Sequence, residues 1–204
     1  DGVTIEGGSI VRRRDGVTEA LMPVTAVKVP GRHLLTDVLA ATAVSCLVGV
    51  PAAAMQRALE SFEGLAHALE RVATIRGVQY INDSKATNIA SATKAIESFE
   101  RGLVVILGGK YKGGDFADLA APLRARGASV VAIGEAAPRI HAALDGVVPV
   151  QDATTMDAAV RLAAGLAPEG GTVLLAPACS SFDMFRDYTE RGRAFTAAVQ
   201  GLAM

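Results

Sequence analysis

Between Asn82 and Asn88 the chain sets Asp83, Ser84, Lys85 and Thr87 almost side by side, a carboxylate, an ammonium and two hydroxyls flanked by two amides. That mixture suits recognition of an anion: Lys85 supplies a full positive charge and the hydroxyls supply directed hydrogen bonds. Two other stretches share the character. Gly108-Gly109-Lys110-Tyr111-Lys112-Gly113-Gly114-Asp115 offers two lysines among glycines that let backbone approach a ligand, and Pro177-Ala178-Cys179-Ser180-Ser181-Phe182-Asp183 offers two hydroxyls. Together they would suit a small dianion or a phosphate. Taken one at a time, each stretch has a plainer reading. Asp83, Ser84, Thr87 and Asn88 are turn and helix-capping residues, Lys110 and Lys112 fit a solvated turn, and Ser180 and Ser181 fit a helix cap. No histidine falls in a convergent loop, so neither serine has a base to make it a nucleophile.

The elements around these stretches decide whether they meet. Val78-Gln79-Tyr80-Ile81, Leu103-Val104-Val105-Ile106-Leu107, Ser129-Val130-Val131-Ala132-Ile133, a weaker Val147-Val148-Pro149-Val150 and Thr172-Val173-Leu174-Leu175-Ala176 read as strands. Arg71 to Ile75 turns through Arg76-Gly77 into the Val78 strand as a hairpin. Helical spacing begins at Ile89 and recurs over about 116–126, 136–144 and 156–167, with a last helix over about 182–202. Continuous apolar strands separated by amphipathic helices predict an α/β, doubly wound, mostly parallel sheet covered on both faces. Parallel strands point the same way, so the loops that follow them gather at one edge, where such sheets hold ligands. The helix after Thr87 would add free N–H groups to that edge.

Residues 1–65 read differently. Short strands at Val3–Ile5, Ser9–Arg12, Leu21–Pro23 and Ala26–Val29 precede helices over about 34–48 and 52–62. So few strands make a marginal sheet, which predicts a partial α+β segment of a larger domain whose earlier part lies upstream. Arg12-Arg13-Arg14 reads most simply as a solvated turn, with contact to a polyanion as the alternative.

At 204 residues the chain can bury a real core. A net charge of −1 gives no overall basic field, so neither nucleic acid nor an anionic membrane is an expected partner. Cys46 and Cys179 match no metal spacing and are expected as free thiols. The first residues lack the basic and apolar regions of a signal peptide, and Val38 to Met55, though uncharged, is interrupted by Thr42, Ser45, Gly49 and Pro51. A cytoplasmic location is the expectation. No Gly-x-x-x-x-Gly-Lys-Ser/Thr phosphate loop occurs, and no Gly-x-Gly-x-x-Gly follows a strand.

The combination of Asn82-Asp83-Ser84-Lys85-Ala86-Thr87-Asn88, Leu107-Gly108-Gly109 with Lys112, and Pro177 to Asp183 with Glu190-Arg191-Gly192 resembles the Mur ligase family, and within it the branch that adds D-glutamate. The likeness runs from about Gly31 to the end. It implies an ATP-dependent amide ligase of peptidoglycan biosynthesis acting through an acyl phosphate, with UDP-N-acetylmuramoyl-L-alanine and D-glutamate as substrates and Mg2+ accompanying ATP. It also implies that residues 1–65 are the carboxyl-terminal tail of a central ATP-binding domain. Residues 66–204 would then be the Rossmann-like domain for the incoming amino acid, inactive without the upstream domains. By the same resemblance Thr87, Lys112, Ser181 and Phe182 would hold the two carboxylates of D-glutamate, and Tyr188, where the family often has Phe, would wall the pocket. Asp83 would accept a bond from the nucleotide ribose and Lys85 would lie near the reacting phosphate.

Three positions depart from the family pattern. Gly-x-His-Asn-x-x-Asn becomes Gly31-Arg32-His33-Leu34-Leu35-Thr36-Asp37, so an apolar Leu34 stands for the first amide near adenine and Asp37, a carboxylate that can only accept, for the second. His-Arg-x-Glu becomes His67-Ala68-Leu69-Glu70, which removes an arginine from the ATP phosphates, with Arg71 as a nearby substitute. A stand-alone Rossmann-like module binding a nucleotide or acidic metabolite is the alternative of another class. A sibling Mur or folylpolyglutamate ligase is the alternative within the family.

Overall fold

The computed structural model describes residues 1–28 and 32–203, with backbone alone at 32 and 33. The chain divides into two compact units, Asp1–Gly64 and Leu65–Met204.

In the first unit three antiparallel strands, β1 (Gly2–Glu6), β2 (Ser9–Arg14) and β3 (Val17–Pro23), lie in the order β1-β2-β3. Helices α1 (Arg32–Leu47) and α2 (Ala52–Ser61) pack on them around Ile10, Leu21, Met22, Val38 and Met55. Two expectations fail here. The strand placed at Ala26–Val29 does not form: Val24–Ala26 is a 3-10 turn whose Val27 N–H closes back on the Val24 carbonyl, and Val29 lies outside the described residues. Arg12-Arg13-Arg14 is no turn but the end of β2, where Arg12 pairs with Glu19 and Arg13 with Glu6. The cross-strand glutamates offset two of the three arginines, and Arg14 pairs with Asp15 at 3.4 Å.

The second unit is built on a six-stranded sheet in the order β4-β5-β9-β6-β7-β8. These are β4 (Glu70–Ile75), β5 (Val78–Asn82), β6 (Leu103–Gly108), β7 (Ser129–Ile133), β8 (Val150–Ala153) and β9 (Thr172–Leu175). All neighbours are parallel except the β4–β5 hairpin at one edge. Strand alternation sends Val104, Ile106, Val131, Ile133, Val173 and Leu175 to the face covered by α6 (Met156–Leu166) and α7 (Tyr188–Gly201). Leu103, Val105, Leu107, Val130 and Ala132 point the other way. They are buried, as are Ile96 on α3 (Ile89–Glu97), Leu123 on α4 (Ala120–Ala125) and Ile140 and Leu144 on α5 (Ala137–Leu144). Apolar residues on both faces of each inner strand are what a doubly covered sheet requires.

Three further boundaries differ from expectation. The helix placed over 116–126 opens as a 3-10 turn, Phe116–Leu119, before α4. The weak strand at 147–150 forms instead at 150–153, because the Val147 and Val148 N–H groups close on the Leu144 carbonyl and Pro149 has none to give. The last helix starts at Tyr188 rather than 182. Asp187 caps it by accepting the Glu190 N–H at 2.7 Å, and the Glu190 carboxylate accepts the Arg186 N–H at 2.6 Å. This reciprocal pair fixes the start and leaves 182–187 as loop.

Candidate functional site

Strand order decides the site. β5, β9 and β6 are adjacent, so the three polar loops that follow them emerge side by side from the carboxyl edge of the sheet. They are also sewn together. Lys110 and Ser180 exchange two main-chain bonds, Lys110 N–H to Ser180 O at 2.9 Å and Ser180 N–H to Lys110 O at 3.1 Å, and the Ser180 hydroxyl donates to the same Lys110 carbonyl. The Ala178 N–H reaches the Ala86 carbonyl at 2.9 Å, and the Gly108 N–H reaches Pro177 O at 2.8 Å. Such closeness needs Gly109. Its φ is +127°, and a Cβ there would fall 2.2 Å from the Ser180 oxygen.

Beneath the loops lies Arg191, on the first turns of α7 and only 1% exposed. Its guanidinium donates to the Ser84 carbonyl at 2.9 Å, the Ser84 hydroxyl at 3.0 Å and the Cys179 carbonyl at 3.1 Å, so one side chain ties the β5 loop to the β9 loop. Burial lowers its pKa to about 10, opposed by Cys179 and Asp183, and it stays charged at neutral pH. The same burial pushes the Cys179 thiol up to about 12, which leaves it inert. The Ser84 hydroxyl in turn donates to Tyr188 O at 2.7 Å.

Asp83 is 8% exposed and accepts the Leu69 N–H at 3.2 Å. Desolvation raises its pKa to about 6, with the Leu69 bond and the Lys85 charge pulling the other way. Its neighbour Asn82 donates to His67 Nδ1 at 2.9 Å and to Gly192 O at 3.2 Å, while its own oxygen accepts the Ser84 N–H, so the loop leaves β5 in a fixed direction. The Thr87 N–H bonds the Lys85 carbonyl at 2.8 Å, and Asn88 then caps α3 by accepting the Ser91 N–H. That amino terminus opens on the loops and favours negative charge there.

Of the residues singled out in the sequence, Asp83, Lys85, Thr87, Lys112, Ser181 and Phe182 stand on these joined loops, with Tyr188 at the head of α7 just beyond. Lys85, Lys110 and Lys112 are exposed, and among the described residues no carboxylate pairs with any of them. Ser181 is 2% exposed, whereas Phe182 is 67% and Tyr188 39% exposed. Asp37 lies on α1 of the first unit, exposed to solvent, and Arg71 lies exposed on β4. Gly31, where the adenine-proximal pattern begins, lies outside the described residues. Residue spacing did not reveal Arg191 as the tie beneath the loops, because an arginine inside a helix ordinarily faces water.

Among the described residues no group of three or more His, Cys, Asp or Glu side chains is placed to hold a metal ion. Among them, too, no helix is long and apolar enough to cross a membrane.

Fold and loops define a mostly parallel α/β domain with three polar loops joined at the carboxyl edge of its sheet. The chain belongs to the Mur ligase family: the family model described as the glutamate ligase domain of Mur ligases matches residues 67–179. It is 45% identical over 196 residues to the UDP-N-acetylmuramoylalanine-D-glutamate ligase of Acidobacterium capsulatum, covering 95% of this chain and 42% of that protein. It is 43% identical over 203 residues to the ligase of the same name from Geotalea daltonii, covering all of this chain and 45% of that one. The chain therefore spans less than half the length of these curated relatives. Among solved structures, Mycobacterium tuberculosis folylpolyglutamate synthase with ADP matches at a TM-score of 0.64 and 19% identity, over 96% of this chain and 46% of that one. UDP-N-acetylmuramate-alanine ligase from Thermotoga maritima matches at a TM-score of 0.64 and 17% identity, over 86% and 40%. At such identities the likeness is one of fold.

Proposed function

We propose that this chain is the amino-acid-binding portion of an ATP-dependent ligase that joins D-glutamate to UDP-N-acetylmuramoyl-L-alanine in peptidoglycan biosynthesis. Residues 1–65 would contribute the tail of the ATP-binding domain and residues 66–204 the cup for the incoming amino acid. The observation that carries this reading is the paired backbone of Lys110 and Ser180, which sets the Lys112 loop against the Ser181 loop beside the start of α3. A diacid fits such a cup because two carboxylates can be met at once. Lys112 supplies a charge-assisted bond to one, while the Thr87 and Ser181 hydroxyls and the α3 amino terminus supply neutral donors. Phe182 and Tyr188 would border the aliphatic part of the ligand.

ATP would supply the phosphoryl group that turns the alanyl carboxylate into an acyl phosphate. The role of this chain is then to present the D-glutamate amine to that carbonyl carbon. As the C–N bond forms, a tetrahedral centre develops, the amine loses a proton, and phosphate leaves with the C–O bonding pair. Holding both carboxylates fixes the amine's direction of approach and makes the step effectively unimolecular. Lys85, exposed on the β5 loop, would meet the charge on the departing phosphate. Asp83 would accept from a ribose hydroxyl.

Phosphate release by the full-length enzyme, assayed with ATP, UDP-N-acetylmuramoyl-L-alanine and a panel of amino acids, tests the reading. Release that depends on D-glutamate supports it; equal release with L-alanine or L-lysine, or none with any amino acid, contradicts it.

A further inference from the structure

Lys112 sits on a glycine-rich, solvent-facing turn, a poor platform for a residue that must meet a carboxylate in one geometry. The turn is nevertheless held at three points. The Tyr111 hydroxyl donates to the Gly114 carbonyl at 2.6 Å, closing residues 111–114 into a ring with Lys112 inside it. The Tyr111 ring lies under the Arg139 guanidinium of α5, 4.6 Å from ring centroid to guanidinium carbon, and 5.9 Å from the ring of the buried Phe116. On the far side Gly114 has a φ of +90°, and a Cβ there would sit 2.8 Å from Ile89 Cγ1, so the turn rests directly on the first residue of α3, two residues past Thr87. The Ala136 N–H, bonded to Gly109 O at 3.0 Å, anchors the root of the same loop to the start of α5.

We propose that Tyr111 and Arg139 are positioning residues for Lys112, forming a clamp that holds the lysine-bearing turn between α5 and α3 in its carboxylate-binding conformation before the amino acid arrives. The inference rests on the proposed role of Lys112 and deepens it. A free four-residue turn with two adjacent glycines would lose backbone freedom on binding, and that loss would weaken affinity for the diacid. The clamp makes the loss in advance. Neither Tyr111 nor Arg139 needs to touch the substrate for this, and the ring-to-guanidinium contact is available only while the turn stays folded over α5.

The test uses the full-length enzyme. Tyr111→Phe and Arg139→Met should each raise KM for D-glutamate about fivefold or more, with KM for ATP within about twofold of the parent, since loss of one hydrogen bond or one cation–π contact is worth about that factor. Arg139→Lys, which keeps a cation over the ring, should recover most of the loss. In a Lys112→Ala background neither Tyr111→Phe nor Arg139→Met should raise KM for D-glutamate further, an outcome that general damage to the fold would not give. If Lys112→Ala raises KM while Tyr111→Phe and Arg139→Met leave it unchanged, the clamp is overturned and the site reading stands. The clamp is also overturned if the two effects add fully to that of Lys112→Ala or raise both KM values together. If Lys112→Ala itself leaves KM for D-glutamate unchanged, the site reading fails and the clamp with it.

Discussion

The main chains of Lys110 and Ser180 bond to each other in both directions, at 2.9 and 3.1 Å, although seventy residues separate them in sequence. This miniature two-residue sheet lies just beyond the parallel strands and joins a lysine-rich turn to a serine-rich turn. Most of what can be tested about this chain turns on that junction or on the groups packed beneath it.

Gly109→Ala should break the junction. The new methyl would collide with the Ser180 oxygen in a backbone conformation that L-residues rarely adopt. A loss of about 2–4 kcal/mol in unfolding free energy by urea titration of this chain is the expected result, in the range of strain at a special backbone position combined with overpacking. A change under about 0.5 kcal/mol would mean that the loops can separate freely.

Arg191→Met removes the tie between the β5 and β9 loops and strands three buried acceptors, two of them carbonyls. The expected cost is about 3 kcal/mol, also by urea titration. Replacement by Lys should recover only part of it, because an ammonium cannot reproduce the fork that spans Ser84 and Cys179.

Asp83 gives the chain a pH dependence of definite sign. Its folded pKa is raised to about 6 from an ordinary 3.8, so between those values the folded state binds more protons than the unfolded state. Stability from this group is therefore greatest below about pH 4 and falls as pH rises through about 6, a total swing on the order of 3 kcal/mol for a two-unit shift. Asp83→Asn, which can still accept the Leu69 N–H, should be more stable than the parent at pH 8, with the advantage shrinking toward pH 4. Parallel stability curves for the two proteins across that range would rule out a buried, destabilised carboxylate.

His141 should show a second dependence elsewhere on the fold. On α5 it bridges Asp145 and Asp152, each at 3.0 Å, and these two carboxylates raise its pKa above the usual 6.5. The stabilisation is fully present below pH 6.5 and is lost as pH rises through the raised value. Thermal melts of His141→Ala should thus lie below the parent at pH 6 and converge with it at pH 9; an equal gap at both values would contradict the bridge.

The alternation of unbroken apolar strands with amphipathic helices made the parallel sheet readable, and loops following parallel strands can only emerge at one edge. Strand order is less legible. Spacing cannot say that β9, the last strand in sequence, inserts between β5 and β6, yet that insertion is what makes the three loops neighbours. Some misplaced boundaries carried signals: Asp187 with Glu190 three residues later is a capping box, and Pro149 forbids a ladder bond in the strand drawn through it. Arg191 carried a partial one: it stands four residues before Phe195 and eight before Val199 on the buried face of α7, while the exposed Arg193 lies on the opposite face. The loop carbonyls that it meets are a tertiary fact that helical spacing cannot supply.

Lys112→Ala in the full-length enzyme is the most direct measurement of the central claim, that this cup receives a diacid. The account predicts at least a tenfold rise in KM for D-glutamate, about what loss of a charge-assisted bond is worth, with KM for ATP unaltered. An unchanged KM for D-glutamate would contradict it.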